Sequence, residues 1–216
     1  GCTALMLTGF GLRNAISVIV DLQFGEIIKY DTLCTFSEED NEKYELLKKN
    51  ISETDSVTEY MFGMQKSVTV KCNGKQKEAY AIVPENPSEI SNFITLRRRL
   101  GRNAEHKKSD IFSINDEGVI INEKLAKLLG GIKAGDEIAF EDTDVKAVVT
   151  AVTENYSQNY VYFTPELYRS VFGEYDNNIF YLNIEDNADT DAISKEILEN
   201  TQVTSVNFME HAGDTF

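Results

Sequence analysis

Histidine and cysteine are scarce in this chain, basic residues are outnumbered by acidic ones, and no apolar run is long enough to cross a bilayer. His106 and His211 are the two histidines, far apart in sequence and without a partner pattern, whereas a general base needs an orienting neighbour. Cys2, Cys34 and Cys72 are an odd number with neither CxxC nor ligand spacing. Neither a disulfide framework nor a zinc site is indicated, although a Cys34–Cys72 bridge stays open. GxSxG and HExxH are absent. The 21 Lys and Arg stand against 36 Asp and Glu, a formal charge of −15. Such a field repels nucleic acid unless a strong basic patch overrides it, and none of that strength is visible. The carboxylates are too many for any pair to be singled out as acid and base, and most must be solvated surface. No residue is therefore assigned a catalytic, cofactor-binding or metal-binding role, and no cofactor is expected.

What is present argues for a folded protein. Apolar residues make up 42%, with ten tyrosines and twelve phenylalanines, and 216 residues suit one large domain or two small ones. The opening exposes Cys2, Ala4, Leu5, Met6, Leu7 and Phe10 together, unlike the polar, poorly ordered terminus of most domains. Leu12, Ala15, Ile16, Ile19 and Val20 follow at helical spacing. Residues 1–10 are expected to be the outer end of a membrane-spanning helix that extends to about residue 24, with the remainder held outside the membrane.

Residues 25–36 mix β-branched and aromatic side chains as a strand does. Ser37, followed by Glu38, Glu39 and Asp40, reads as a helix N-cap, and Tyr44, Leu47 and Ile51 mark the buried stripe of the helix. Residues 57–64 are expected to be extended, and 67–72 alternate before Asn73-Gly74, which suits a type I′ hairpin returning through 75–83 and ending at Pro84 and Pro87. The stretch 88–108 carries Arg97, Arg98, Arg99, Arg102, Lys107 and Lys108 and reads as a loop or edge. Strand character resumes over 111–121. Asn122 is expected to cap a helix over 123–129, stopped by Gly130-Gly131. Strands are expected at 137–141 and 145–153, joined by the acidic turn Asp142 to Asp144. Thr164-Pro165 opens a helix that Gly173 closes. A strand over 178–184, a helix burying Ile193, Ile197 and Leu198, and a strand over 203–208 complete the chain. Strand–helix–strand units thus bracket a hairpin-rich insertion. They can pair into one α/β sandwich of the split βαβ kind, which suits a domain tethered at both ends to one surface.

The remaining motifs are weak. Residues 130–136, GGIKAGD, imitate a phosphate loop, but an acid stands in the lysine position and the segment runs from helix to strand. A helix cap followed by a Gly-Asp turn accounts for it. Gly9-Phe10-Gly11 reaches Asn14 where a dinucleotide fingerprint needs glycine. The basic run from Arg97 to Lys108 could contact anionic lipid headgroups or wall polymers, or could be a solvated loop balancing nearby acids. Tyr156, Tyr160 and Tyr162 could grip a ligand, against the commoner packing of strand aromatics on a core.

The opening CTALMLTGFGLRNAISVIVDLQFGEIIKYD, the segment GVIINEKLAKLLGGIKAGDEI, the segment ENYSQNYVYFTPELYRSVFG and the end SVNFMEHAGDTF together resemble, in order, the extracellular domain of Gram-positive FtsX-like ABC transporter permeases. The resemblance implies an α+β, MacB-like periplasmic core fold. In it, a porter-like split βαβ sandwich is built from both chain ends, with a mostly-β subdomain inserted. On that basis 1–24 is the outer end of the first transmembrane helix and its extension, 25–72 with 176–216 the membrane-proximal subdomain, and 73–175 the insertion. The implied role is noncatalytic: coupling ATP-driven membrane-helix movement to an extracellular substrate or partner protein, at the extracellular side of the cell membrane. The implied partner is an ABC ATPase subunit reached through the membrane part, with dimerisation expected only in the full transporter, and no nucleic acid. Recognisable similarity is lowest over 97–110 and 142–144, where ligand specificity could lie. The competing readings are a secreted lipoprotein or binding module anchored through Cys2, and an extracellular hydrolase using some of the carboxylates.

Overall fold

The computed structural model describes residues 22–37, 40–101 and 103–210. The expected apolar opening helix, Cys2, Arg102 and His211 lie outside the described residues. In chain order the elements are β1 (Thr32–Phe36), α1 (Asn41–Ser52), β2 (Val57–Cys72), β3 (Lys75–Pro84), β4 (Val119–Asn122), α2 (Glu123–Leu128), β5 (Glu137–Phe140), β6 (Thr143–Thr153), β7 (Tyr160–Tyr162), α3 (Pro165–Phe172), β8 (Ile179–Ile184), α4 (Thr190–Leu198) and β9 (Val203–Phe208).

One strand belongs to two assemblies. β2 spans roughly 50 Å, and its first half pairs antiparallel with β8, from Val57↔Ile184 to Gly63↔Ile179. From Gly63 onward it pairs with β3, ending at Cys72↔Lys75. The first half completes an antiparallel sheet in the order β2–β8–β1–β9, which is the split βαβ arrangement expected from the two bracketing units. The second half closes a circuit β2–β3–β7–β4–β6–β5 that returns to β2 at Val70↔Phe140 and Lys71↔Ala139. Closure pairs the strand edges within the barrel, so they offer no open template. Where β2 changes partner, the Asn178 side chain extends the ladder: its Oδ1 accepts from Gln65 N at 2.8 Å and its Nδ2 donates to Gln65 O at 2.9 Å.

Three apolar cores follow from strand alternation. Helices α1 and α4 cover one face of the four-stranded sheet. There Phe62 lies edge-on to Phe36 and Tyr44 at 5.6 and 5.5 Å and tilted against Phe180 at 5.0 Å, each such pair adding about 0.5–1.5 kcal/mol beyond burial. The barrel interior takes Ala79, Ala81 and Val83 from β3 and Val119 and Ile121 from β4. The outward-facing Ile82, Ile120 and Tyr162 enter a middle core, where they meet Met61 and Tyr181 from the back of the sheet and Ile27, Phe93 and Leu96 from the connecting segments.

The hairpin at Asn73-Gly74 has positive φ at both residues, 53° and 72°, as a type I′ turn requires. Thr164 Oγ1 accepts from Leu167 N at 3.1 Å ahead of Pro165, and Gly173 closes α3 at φ 92°. Other expectations change. The strand expected over 25–36 is confined to Thr32–Phe36 and follows a π-helical turn, Leu22–Ile27, because Ile27 and Ile28 are buried consecutively in the middle core. Asp40 rather than Ser37 caps α1, its Oδ1 accepting from Lys43 N at 2.8 Å. The extended pieces around residue 65 are one strand. Its alternation lapses at Met61, Phe62, Gly63 and Met64, all buried, because β2 passes there between two assemblies and has no solvent face. Of the strand expected over 111–121, the last three residues join β4 (Val119–Asn122), and the preceding residues make isolated bridges at Arg97↔Ile111 and Asn115↔Gly118. The 142–144 turn shortens to Glu141-Asp142 because Thr143 pairs with Phe140. Leu198, at the last turn of α4, is 47% exposed rather than buried. Cys34 and Cys72 are both free. Cys34 is level with Phe62 through Phe180, and Cys72 lies roughly 30 Å further along β2, far beyond disulfide reach.

Gly63 sits where the chain has no room for a side chain: an added Cβ would lie 2.7 Å from Val83 O and 3.2 Å from Pro84 Cα. Gly63→Ala is expected to destabilise the domain by about 1–3 kcal/mol. Gly101→Ala, which meets nothing within 4 Å, should stay within about 0.5 kcal/mol. Urea unfolding of the two variants checks the difference.

Candidate functional site

The segment leading into β1 is held by the barrel. Its backbone is stapled to the loop after β3: Lys29 N and Tyr30 N donate to Phe93 O at 2.9 and 3.0 Å, and Thr95 N donates to Ile27 O at 2.8 Å. Gln23, 2% exposed, reaches the loop between β6 and β7. Its Nε2 donates to Ser157 Oγ at 3.0 Å and its Oε1 accepts from Tyr156 N at 2.8 Å. Glu26 accepts from Arg97 Nη2 at 3.0 Å.

Arg97 is the hub. Its Nε donates to Glu154 Oε1 at 2.8 Å, its backbone N donates to Thr153 Oγ1 at 2.9 Å, and its carbonyl accepts from Glu154 N at 2.9 Å. The side chains of Arg97 and Glu154 are 11% and 6% exposed, so this ion pair is buried. Burial acts to lower the Arg97 pKa, but its hydrogen bonds to Glu26 and Glu154 outweigh it and the net shift is upward, keeping the guanidinium charged. Beside it Arg99 hydrogen-bonds the Glu123 carboxylate, Nε to Oε2 at 2.9 Å, and lies over the Tyr156 ring at 4.7 Å. The Tyr156 hydroxyl donates to Glu154. Burial first, and then that hydrogen bond, push the Tyr156 phenol up to about 12. These contacts tie the segment before β1 to the long connection after β3 and to the end of β6.

The basic run is thus largely drawn into its own carboxylates. Arg97 and Arg99 join the clamp, Arg98 lies 3.9 Å from Asp110, and His106 Nε2 is 2.8 Å from Arg98 O. Lys107 and Lys108 remain exposed. Two of the three tyrosines stay together: Tyr162 is buried in the middle core with the half-buried Tyr160 6.0 Å from it and tilted against Tyr80 at 6.2 Å, while Tyr156 belongs to the Arg97 cluster. Residues 130–136 form a helix end and a turn, with Gly131 N donating to Ala126 O at 2.9 Å and Asp136 accepting from Lys133 N at 2.8 Å. Sequence reading missed Gln23, Glu26 and Glu154, because no local spacing distinguishes them from other surface polar residues. Among the described residues no group of three His, Cys, Asp or Glu is placed to hold a metal ion, and no helix is long and apolar enough to cross a membrane.

This combination of a split βαβ sheet and a barrel threaded by one long strand has solved counterparts. The periplasmic region of MacB from Actinobacillus actinomycetemcomitans matches with a TM-score of 0.51 and 12% identity, over 84% of this chain and 90% of that one. The extracellular domain of the noncanonic ABC-type transporter YknZ from Gram-positive bacteria matches with a TM-score of 0.52 and 16% identity, over 83% of this chain and 100% of that one. The chain shares their fold. No family model matches the sequence, and no curated protein matches it at a significant level.

Arg97→Ala takes from the buried Glu154 its nearest cation, leaving it the Tyr156 hydroxyl and Arg99 at 3.8 Å, and is expected to cost up to about 3–5 kcal/mol of stability. The double variant with Glu154→Ala should recover part of that loss in a double-mutant cycle read by urea unfolding. Tyr156 also makes stability pH-dependent. Below the ordinary tyrosine value of 10 its proton is bound in both states and its contribution is complete. Between 10 and about 12 the unfolded chain ionises first, so stability falls as pH rises. Tyr156→Phe should flatten that fall in urea midpoints compared at pH 9 and 11.

Proposed function

We propose that this chain is the noncatalytic extracellular domain of an FtsX-like ABC transporter permease of Gram-positive type, held at the outer side of the cell membrane. On this reading, residues 1–24 are the end and extension of a membrane helix, 25–72 with 176–216 form the membrane-proximal subdomain, and 73–175 form the inserted one. ATP is hydrolysed by a separate subunit or domain that meets the permease through its membrane part. The domain couples helix movement to an extracellular substrate or partner, and any dimer forms in the full transporter.

One observation carries the coupling. The segment entering β1 is bonded to the barrel through Gln23 and Glu26, while the end of β9 is bonded to the sheet, Phe208 opposite Thr32 and Met209 N donating to Asp31 O at 2.8 Å. The two strands that connect this domain to flanking chain therefore meet at one end of the sheet but grip different parts of the structure. Movement of one relative to the other loads the middle core, where sheet and barrel share β2. The shared fold with two transporter outer domains supports the same reading.

Lys75→Cys at the exposed hairpin, made in the intact parent protein with Cys72→Ser, is expected to react with a membrane-impermeant maleimide on whole cells. Labelling only after lysis overturns the extracellular placement. In the same parent, Gln23→Ala with Glu26→Ala should lower transport-linked activity severalfold while surface labelling is retained.

A further inference from the structure

The structure gathers lysines of this acidic protein at a place the sequence did not indicate. Lys75 and Lys77 on β3 and Lys124 and Lys127 on α2 line one hollow of about 650 Å3, together with Gln76 and Leu128. Around the hairpin tip a neighbouring hollow adds Lys71 and Lys146, with Glu137 as its carboxylate. The ion pairs among the described residues use Lys48, Arg97, Arg98, Arg99 and Arg169, and none of these six lysines.

The convergence is built by the fold. Alternation along β3 puts Lys75 and Lys77 on the same side as the inward-facing Ala79 and Ala81. Asn73 Nδ2 donates to Leu129 O at 3.0 Å, and Asn73 packs against Gly130, so the hairpin is locked to the end of α2. Like charges held together repel one another, and the residues lining the two hollows bring together six lysines and the single carboxylate of Glu137.

We propose that this lysine hollow binds a linear polyanion, a polymer carrying regularly spaced phosphate or carboxylate groups. Lysine supplies compact charges on flexible stems rather than the rigid bidentate fork of arginine, which suits a mobile chain of anions. Protein–protein interfaces are depleted in lysine and enriched in aromatic residues and arginine, so a folded acidic partner fits less well. Leu128, 36% exposed, adds an apolar contact beside the lysines. The hollow would bind such a chain whether or not the domain belongs to a transporter.

Fluorescence anisotropy of the 216-residue chain with labelled long-chain inorganic polyphosphate, and separately with poly-glutamate, tests this. Saturable binding to either probe, weakening as salt rises, is expected, and the preferred probe distinguishes phosphate from carboxylate. Combined Lys75→Gln, Lys124→Gln and Lys127→Gln, all at exposed positions, should weaken binding roughly tenfold or more with an unchanged circular dichroism spectrum and melting curve. Lys107→Gln with Lys108→Gln should leave it within about twofold. Absence of binding to both probes at low salt overturns the proposal. So does equal binding by the triple variant, or tighter binding to phosphatidylglycerol vesicles than to polyphosphate at matched phosphate concentration.

Discussion

The structure depends on a single strand serving two sheets. β2 pairs with β8 over its first half and with β3 over its second, and Gly63 is bonded into both ladders. At this crossing both faces of the strand are buried, so every side chain from Met61 to Met64 must fit a core and the backbone itself must approach Val83. The sheet and the barrel are therefore not independent bodies on a flexible joint. A rotation of one against the other disturbs the register of the shared strand and the packing of the middle core.

The buried ion pair acts on the same junction from the other side. Arg97 belongs to the long connection after β3, Glu154 to the end of β6, and Glu26 to the segment before β1. Dispersion and apolar burial are non-directional, so the middle core alone would tolerate small sliding of these three pieces. A guanidinium with two carboxylates and backbone bonds does not, because displacement leaves charge buried without a partner. Apolar packing supplies cohesion and the Arg97 cluster supplies register.

Charge is distributed by the same topology. Arginines adjacent in sequence, at 97, 98 and 99, face the carboxylates of Glu26, Asp110, Glu123 and Glu154, the last shared by Arg97 and Arg99, and contribute little free positive potential. Lysines from β3 and α2, some fifty residues apart in sequence, are brought to one hollow by the hairpin contact. A basic run is thus a poor guide to a basic surface: neighbouring residues on an irregular segment diverge, whereas distant elements can converge.

Local physics explains how much could be read beforehand. The Asn73-Gly74 turn, the Thr164-Pro165 start, the Gly173 stop and the β9 strand were legible because each rests on the conformational preferences of a few adjacent residues. The two bracketing strand–helix–strand units were legible from hydrophobic period, and with them the α+β class and the sandwich joining both ends of the chain. Where period fails, the reason is burial on both sides: at 61–64 and at 27–28 no solvent face exists to impose alternation. The Ser37 cap failed for a subtler reason, since two acceptable caps lie three residues apart and only the helix register chooses Asp40. Gln23, Glu26 and Glu154 could not be found at all, because their meaning lies in partners more than fifty residues away. The sequence by itself determined the elements, their turns and the class of fold, since those depend on short-range sterics and on which residues avoid water. Tertiary structure alone decided barrel closure, the clamp on the N-terminal segment and the lysine hollow, because each depends on which distant strands pair.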